Sequence, residues 1–232
     1  NGGTALPSTA SSTFATGLWP TFLLASPLAS GDACSALVAL DQGLLTCSGG
    51  ANDGLFCRTD ADCPGGACSS TSADVGTIEV FTNPACVPGE SLSLATTISL
   101  GAGRRPRGGV LADLDGDGSV DLAVADFTGG EVLLYRGTGS GGFIPAVPPS
   151  LTGLSSPAAL ALLNYDPDTG PAPDLAVLSY ANNRVDLFHN DSVPGTLSFS
   201  GAPNNPASPW RNITAMSIFP ADASVGQDLV ML

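Results

Sequence analysis

The sequence predicts an all-β protein, and within that class a β-propeller of about four four-stranded blades with a disulfide-rich loop insertion. Three observations support this prediction. Glycine (29) and proline (19) are too abundant in 232 residues for a helical protein and suit short strands joined by turns. An apolar tetrapeptide beginning with Asp recurs at intervals of 53 and 54 residues. Four strand-like segments fall within each interval without helical periodicity, which is typical of propeller blades.

The first strand of each repeat is small and aliphatic, as expected where blades crowd around an axis; its copies are 22–25, 110–112, 159–162 and 216–219. The second strand is the recurring tetrapeptide, at 121–124, 174–177 and 228–231, with a fainter copy at 37–40. The third strand alternates apolar and polar residues, at 78–83, 132–137 and 185–190. A more polar fourth strand, suited to an exposed edge, lies at 91–95, 143–147 and 196–200.

These strands define blades at roughly 20–100, 107–152 and 157–202, and a last blade made of 213–232 together with 1–16. Both ends of the sequence therefore fall inside a blade, and the last blade lacks its third strand. We expect either a ring closed from both termini that borrows a strand, for example from a neighbouring subunit, or a segment of a longer propeller. We favour the longer propeller because most rings have more than four blades.

Six cysteines lie in the first part of the chain, at Cys34, Cys47, Cys57, Cys63, Cys68 and Cys86. Residues 42–73 hold four of them and interrupt the first blade, so we interpret this segment as a disulfide-knotted insertion. A zinc site is the alternative. The spacing contains no Cys-x-x-Cys pair, and the single histidine is distant, so disulfides and an oxidising compartment are favoured. Six cysteines allow 15 pairings, among which the sequence does not choose.

The charge of the chain excludes one class of partner. The formal net charge is −14, all seven cations are arginine, and binding to nucleic acid needs clustered basic residues. No apolar run approaches the roughly 18 residues of a membrane-spanning helix, so no membrane span is expected. The start of the sequence lacks the features of a signal peptide, and we interpret the chain as a mature or excised segment.

The most informative stretch is the acidic loop before the second copy of the tetrapeptide. Asp113, Asp115, Asp117 and Asp121 occupy its positions 1, 3, 5 and 9, with glycines between them. Carboxylate oxygens on a loop bent by glycine suit Ca²⁺, so we predict a calcium-stapled hairpin. Position 12 is Val124, inside a strand-like run, whereas an EF-hand needs a carboxylate there and a helix afterwards.

This loop and its partial copies resemble the FG-GAP/VCBS-type repeat of integrin-like β-propellers, of the kind found in secreted bacterial proteins. The resemblance covers the chain outside the cysteine insertion, although the Phe-Gly and Gly-Ala-Pro signatures of the repeat are absent. It implies a structural Ca²⁺ between the first and second strands of a blade. The ligands it implies are the side chains of the four aspartates named above and the main-chain carbonyl of Ser119.

A second loop keeps Asn164, Asp166 and Asp168 at positions 1, 3 and 5, but two extra residues delay its last acid to Asp174. It is a weaker candidate for Ca²⁺. The corresponding loops of the first and last repeats lack most of the acids and are not expected to bind metal.

No catalytic constellation accompanies these loops, so we expect a non-enzymatic extracellular module. Its role would be adhesion or structure, including a subunit of a surface filament completed by strand exchange. The partners would be a protein, a glycan or copies of the chain itself. The alternative is the non-catalytic or substrate-binding propeller of a secreted polysaccharide-acting enzyme, since some lyases use calcium-bearing propellers.

Overall fold

The fold consists of short antiparallel strands. The structure is a computed structural model, and it describes residues 20–27, 35–42, 46–52, 57, 60–69, 75–82, 92–164, 172–201, 216–220 and 227–231. The only helical segments within these ranges are two three-residue 3-10 turns, Asp60–Asp62 and Tyr180–Asn182. None of the described helical segments is long and apolar enough to cross a membrane. The predicted all-β fold class is confirmed.

Three antiparallel sheets have four strands each, and we call them the first, second and third blades in chain order. The first blade consists of β1 (Pro20–Pro27), β2 (Ser35–Asp41), β5 (Val75–Thr82) and β6 (Ser93–Ala102). The second consists of β7 (Pro106–Ala112), β8 (Asp121–Asp126), β9 (Glu131–Gly137) and β10 (Phe143–Leu151). The third consists of β11 (Pro157–Leu163), β12 (Asp174–Ser179), β13 (Arg184–Asn190) and β14 (Phe199–Ser200). In each blade every strand pairs with the next one along the chain.

A two-stranded hairpin, β15 (Met216–Pro220) and β16 (Gln227–Met231), occupies the predicted fourth repeat. The first strands of successive repeats lie side by side, with β7 between β1 and β11 and β15 against β11. This arrangement is the one expected of propeller blades around an axis. The described residues do not show a closed ring.

Strand β8 of the second blade is buried on both faces because it lies between two other blades. Successive side chains of a strand point to opposite faces of the sheet. In β8, Leu122 and Val124 pack with the core of the first blade, whereas Ala123 and Ala125 pack with that of the third. All six residues of β8 are buried. This two-sided burial explains why the strand is a continuous apolar run in the sequence and not an alternating one.

The outer strands differ in extent from their predicted positions. β6 continues to Ala102 and β10 to Leu151, whereas β14 contains only Phe199 and Ser200. The third blade is short at this edge because a tight turn, closed by the Val193–Thr196 bridge, precedes β14. Edge strands pair on one side only, so the periodicity of their apolar residues constrains their ends weakly.

The cysteine insertion forms a small unit of its own between β2 and β5. Its hairpin consists of β3 (Thr46–Ser48) and β4 (Ala67–Ser69). Disulfides join Cys47 to Cys63 and Cys57 to Cys68, and these sulfurs make up its buried cluster. The prediction of disulfides is confirmed at these four positions, whose sulfurs are consequently not available as zinc ligands. Cys34 and Cys86 lie outside the described residues.

Candidate metal centre

The acidic loop joins β7 to β8 at one end of the second blade. Asp113, Asp115 and Asp117 each offer a carboxylate oxygen, and these atoms lie within 4.8 Å of one another. Gly116 lies between two of them and Gly118 directly follows Asp117; their φ angles are 74° and 91°, a conformation that glycine adopts without steric cost. These two left-handed residues turn the backbone tightly enough for three carboxylates to converge.

Main-chain N–H groups of the loop fix the orientation of these carboxylates. Asp113 accepts hydrogen bonds from the N–H of Gly116 (2.8 Å) and of Gly118 (2.9 Å). The N–H of Asp117 donates to Asp115 Oδ1 at 3.0 Å, and that of Ser119 donates to Asp117 Oδ1 at 2.7 Å. Since each carboxylate oxygen has more than one acceptor site, these bonds position the group and leave capacity for a cation.

Asp115 also connects the loop to neighbouring structure. Its side chain is buried, and Oδ2 accepts the N–H of Gly195 (3.0 Å) in the turn that leads to β14 of the third blade. The guanidinium of Arg136 approaches Asp115 Oδ2 at 3.4 Å and Asp117 Oδ2 at 3.5 Å. Arg136 therefore supplies one positive charge against two of the three carboxylates, and negative charge remains in the loop.

Asp121, the fourth predicted ligand, has a different set of contacts. It is fully buried and lies outside the group of three carboxylates. Its Oδ2 accepts the N–H of Leu114 and its Oδ1 accepts that of Gly137, both at 2.9 Å. Burial raises its pKa to about 6; these two hydrogen bonds oppose the rise, and the nearby Asp115 and Asp117 add to it. Asp121 thus fastens the start of the loop to the end of β9.

The residues present fit a hard divalent cation. The ligand atoms that converge here are the carboxylate oxygens of three aspartates. The glycine-bent backbone of the loop already holds these oxygens close together. Ca²⁺ prefers such oxygen ligands in a flexible geometry. The assignment of Asp121 and of the Ser119 carbonyl as further ligands stays a prediction.

The second predicted loop is described only at its two ends. Asn164 follows β11, whereas Asp166 and Asp168 lie outside the described residues. Asp174 is buried, and its Oδ1 accepts the N–H of Asn190 at 2.8 Å and lies 3.4 Å from His189 Nδ1. Calcium binding at this loop therefore stays a prediction.

Asp174 and Asp121 make the same contact in successive blades. Each begins the second strand of its blade and accepts the N–H of the residue that ends the third strand. The sequence separation is 16 residues in both cases. The initial Asp of the recurring tetrapeptide is thus a fastening group in both the second and the third blade, whether or not a metal lies beside it.

Asn190 was not selected from the sequence, yet it joins the two loops. Its Nδ2 donates to the carbonyl of Leu114 (3.0 Å) in the acidic loop and to that of Pro173 (2.8 Å) just before β12. The side chain belongs to the third blade and is nearly buried. Together with the bond between Gly195 and Asp115, it connects the acidic loop of the second blade to the third.

Comparison with known families agrees with this position of the loop. Residues 113–169 match the family model of an FG-GAP-like repeat. The match begins at the first aspartate of the acidic loop and runs through the rest of the second blade and β11. A search of curated proteins gives no match for this chain. The resemblance seen in the sequence is thus supported for one repeat of the FG-GAP type.

Proposed function

We propose that this protein is an extracellular, calcium-binding propeller module with an adhesive or structural role and no catalytic function. The observation that carries the proposal is the convergence of Asp113, Asp115 and Asp117 on a loop that opens an FG-GAP-like repeat. The disulfides of the cysteine insertion support an oxidising, extracellular location.

The bound Ca²⁺ would supply positive charge and coordination to carboxylates that otherwise repel one another. The chain's own groups determine what that achieves. Asp115 accepts the N–H of Gly195, and Asn190 holds Leu114, so the conformation of the loop is coupled to the third blade. A loop held in one conformation would therefore stiffen the contact between two blades as well as its own hairpin.

A stiff array of blades offers broad surfaces for contact with a protein, a glycan or further copies of the chain. Adhesion or assembly through such surfaces needs shape and rigidity and does not need a nucleophile or an acid–base pair. A scaffold stiffened by calcium would supply that shape and rigidity.

Thermal unfolding in Ca²⁺, in Mg²⁺ and in a chelator tests the proposal. A ligand present at 100 times its Kd stabilises the folded state by about 2.7 kcal/mol. For a chain of this size that corresponds to a rise in Tm of roughly 5–11 °C. Asp113→Asn should abolish most of the rise, whereas Asp191→Asn, which removes an exposed acid outside the loop, should keep it. A Tm that is the same in Ca²⁺ and chelator would refute the metal site.

A further inference from the structure

The end of the second blade opposite the acidic loop has a concentration of positive charge. Arg104, Arg105 and Arg107 lie within four residues, in a chain with seven basic residues and a net charge of −14. They stand at or just before the start of β7, whose seven residues separate them from the acidic loop by roughly 20 Å. This arginine cluster is therefore distinct from the candidate metal centre.

Arg104 neutralises the two acids that lie nearest to it. Its Nη1 contacts Asp126 Oδ2 at 2.6 Å and also pairs with Glu131 Oε1. The other oxygen of Asp126 accepts the N–H groups of Arg105 (3.0 Å) and Gly129 (3.1 Å). Both carboxylates at this end of the sheet are thus occupied by Arg104 and the main chain. The guanidinium groups of Arg105 and Arg107 form no ion pair with either of these carboxylates.

Arg105 and Arg107 are neighbours that repel each other. Within the described part of the chain, the guanidinium of Arg105 has no ion pair, although its side chain is half-buried. Burial, and then the charge of Arg107, lowers the pKa of Arg105. A half-buried guanidinium beside a second positive charge carries an electrostatic cost that a bound anion would relieve.

Aromatic rings continue this cluster toward the third blade. The Arg107 guanidinium lies 4.0 Å from the centroid of the Phe127 ring, and the Phe127 and Tyr180 rings are 6.0 Å apart. Tyr180 is 40% exposed, and its N–H donates to the Ser156 carbonyl at 3.1 Å, which fixes its turn. An exposed guanidinium and an exposed ring therefore lie on one surface that crosses the boundary between blades.

We propose that Arg105, Arg107 and Tyr180 form a binding site for an anionic polysaccharide, one whose sugar rings carry carboxylate or sulfate groups. A guanidinium fork binds such oxyanions through paired, charge-assisted hydrogen bonds. The face of an exposed tyrosine ring offers apolar contact to a sugar ring, and a tyrosine hydroxyl can hydrogen-bond to water or to a ligand. An acidic peptide would pair with Arg105 and Arg107 but has no sugar ring to pack against Tyr180.

This site deepens the adhesive function proposed above by naming the class of ligand, and it does not involve the metal loop. Binding of the intact 232-residue chain to three defined oligosaccharides tests it: oligogalacturonate for carboxylate, a heparin fragment for sulfate, and a neutral dextran fragment. A polyglutamate peptide of similar charge completes the set. Titration calorimetry in 0.1 mM Ca²⁺ measures the affinities, under conditions where the wild-type chain is folded.

Wild-type protein should bind at least one of the anionic oligosaccharides and not the neutral one. Arg105→Gln and Arg107→Gln should each weaken binding by about 10-fold or more, the loss expected for one charge-assisted hydrogen bond. Arg105→Lys should retain part of the lost affinity, since lysine keeps the positive charge but lacks the planar guanidinium fork. Leu94→Asp is the control, because it changes the net charge equally at an exposed position on β6 of the first blade.

Tyr180→Ala should weaken binding of the oligosaccharides and leave any weak binding of polyglutamate unchanged. The inference is overturned if no anionic oligosaccharide binds, if polyglutamate binds as tightly, or if the arginine variants behave like Leu94→Asp. A failed calcium response with intact sugar binding would refute only the metal site. A calcium response without sugar binding would refute only the inference made here.

Discussion

Replacing Asn190 by alanine removes the side chain that joins the loops of the second and third blades. Three hydrogen bonds are lost: two from Nδ2, to the carbonyls of Leu114 and Pro173, and one from the N–H of Ser192 to Oδ1. Each such bond contributes about 0.5–1.5 kcal/mol net, and more when a buried partner is left unsatisfied. We expect the free energy of unfolding to fall by about 2–4 kcal/mol.

Urea denaturation followed by circular dichroism measures this change. The corresponding fall in Tm is roughly 4–16 °C for a chain of this size. Asn52→Ala is a matched control, since Asn52 Nδ2 also donates to a carbonyl, that of Asp62, at 2.8 Å but in an exposed position. The control should change the free energy of unfolding by less than about 0.5 kcal/mol.

Calcium affinity provides the second measurement. Because Leu114 lies inside the acidic loop, Asn190→Ala should also weaken Ca²⁺ binding, although Asn190 is not among the predicted ligands. If Asn190→Ala unfolds at the same urea concentration as the wild type, the interblade connection has no energetic weight and the reasoning fails.

Three further predictions concern single features. In the metal-free chain, folding raises the pKa of Asp121 from 3.8 to about 6, so the folded state holds a proton that the unfolded state releases. Stability should therefore decrease by about 3 kcal/mol in all as the pH rises from about 3 to 7. Urea midpoints measured in chelator should fall over this range, and a rise would contradict the prediction. Removing the Cys57–Cys68 disulfide should open the insertion to protease while the Tm of the blades stays within a few degrees, because the cysteines form their own buried cluster. Gly137→Ala should cost about 3 kcal/mol or more in urea denaturation, since a Cβ there would lie 2.0 Å from the Val120 carbonyl oxygen; a wild-type midpoint would show that the loop can move.

The fold class could be predicted because its strongest signal is periodic. The strand at 121–124 and its copy at 174–177 are buried on both faces, and continuous burial leaves an apolar run that is visible in sequence. The outer strands left a weaker signal, since one side of β14 or β10 is unpaired and tolerates polar residues and prolines. The sequence-based prediction accordingly misplaced the ends of these outer strands by several residues.

The three converging aspartates could be located from spacing alone, because position within a glycine-bent loop determines where a carboxylate points. The side chains that connect one blade to the next could not be located in this way. Asn190 lies 76 residues from Leu114, and its sequence context matches only the N-glycosylation acceptor pattern. Contacts between blades depend on how the sheets pack, and local periodicity does not contain that information. The constant 16-residue separation between each Asp and its N–H partner is the signal that could have revealed the fastening role of Asp121 and Asp174.

The two faces of β8 have unequal chemistry, and this affects how the repeats can be rearranged. Toward the first blade the strand presents Leu122 and Val124, and toward the third it presents Ala123 and Ala125. Deleting the first blade would expose large aliphatic side chains on the second, whereas deleting the third would expose small ones from this strand. A design that ends after the second blade would therefore need polar substitutions mainly outside β8, at Val132, Leu134 and Leu151, which also face the third blade. A design that begins with the second blade would need them on β8 itself.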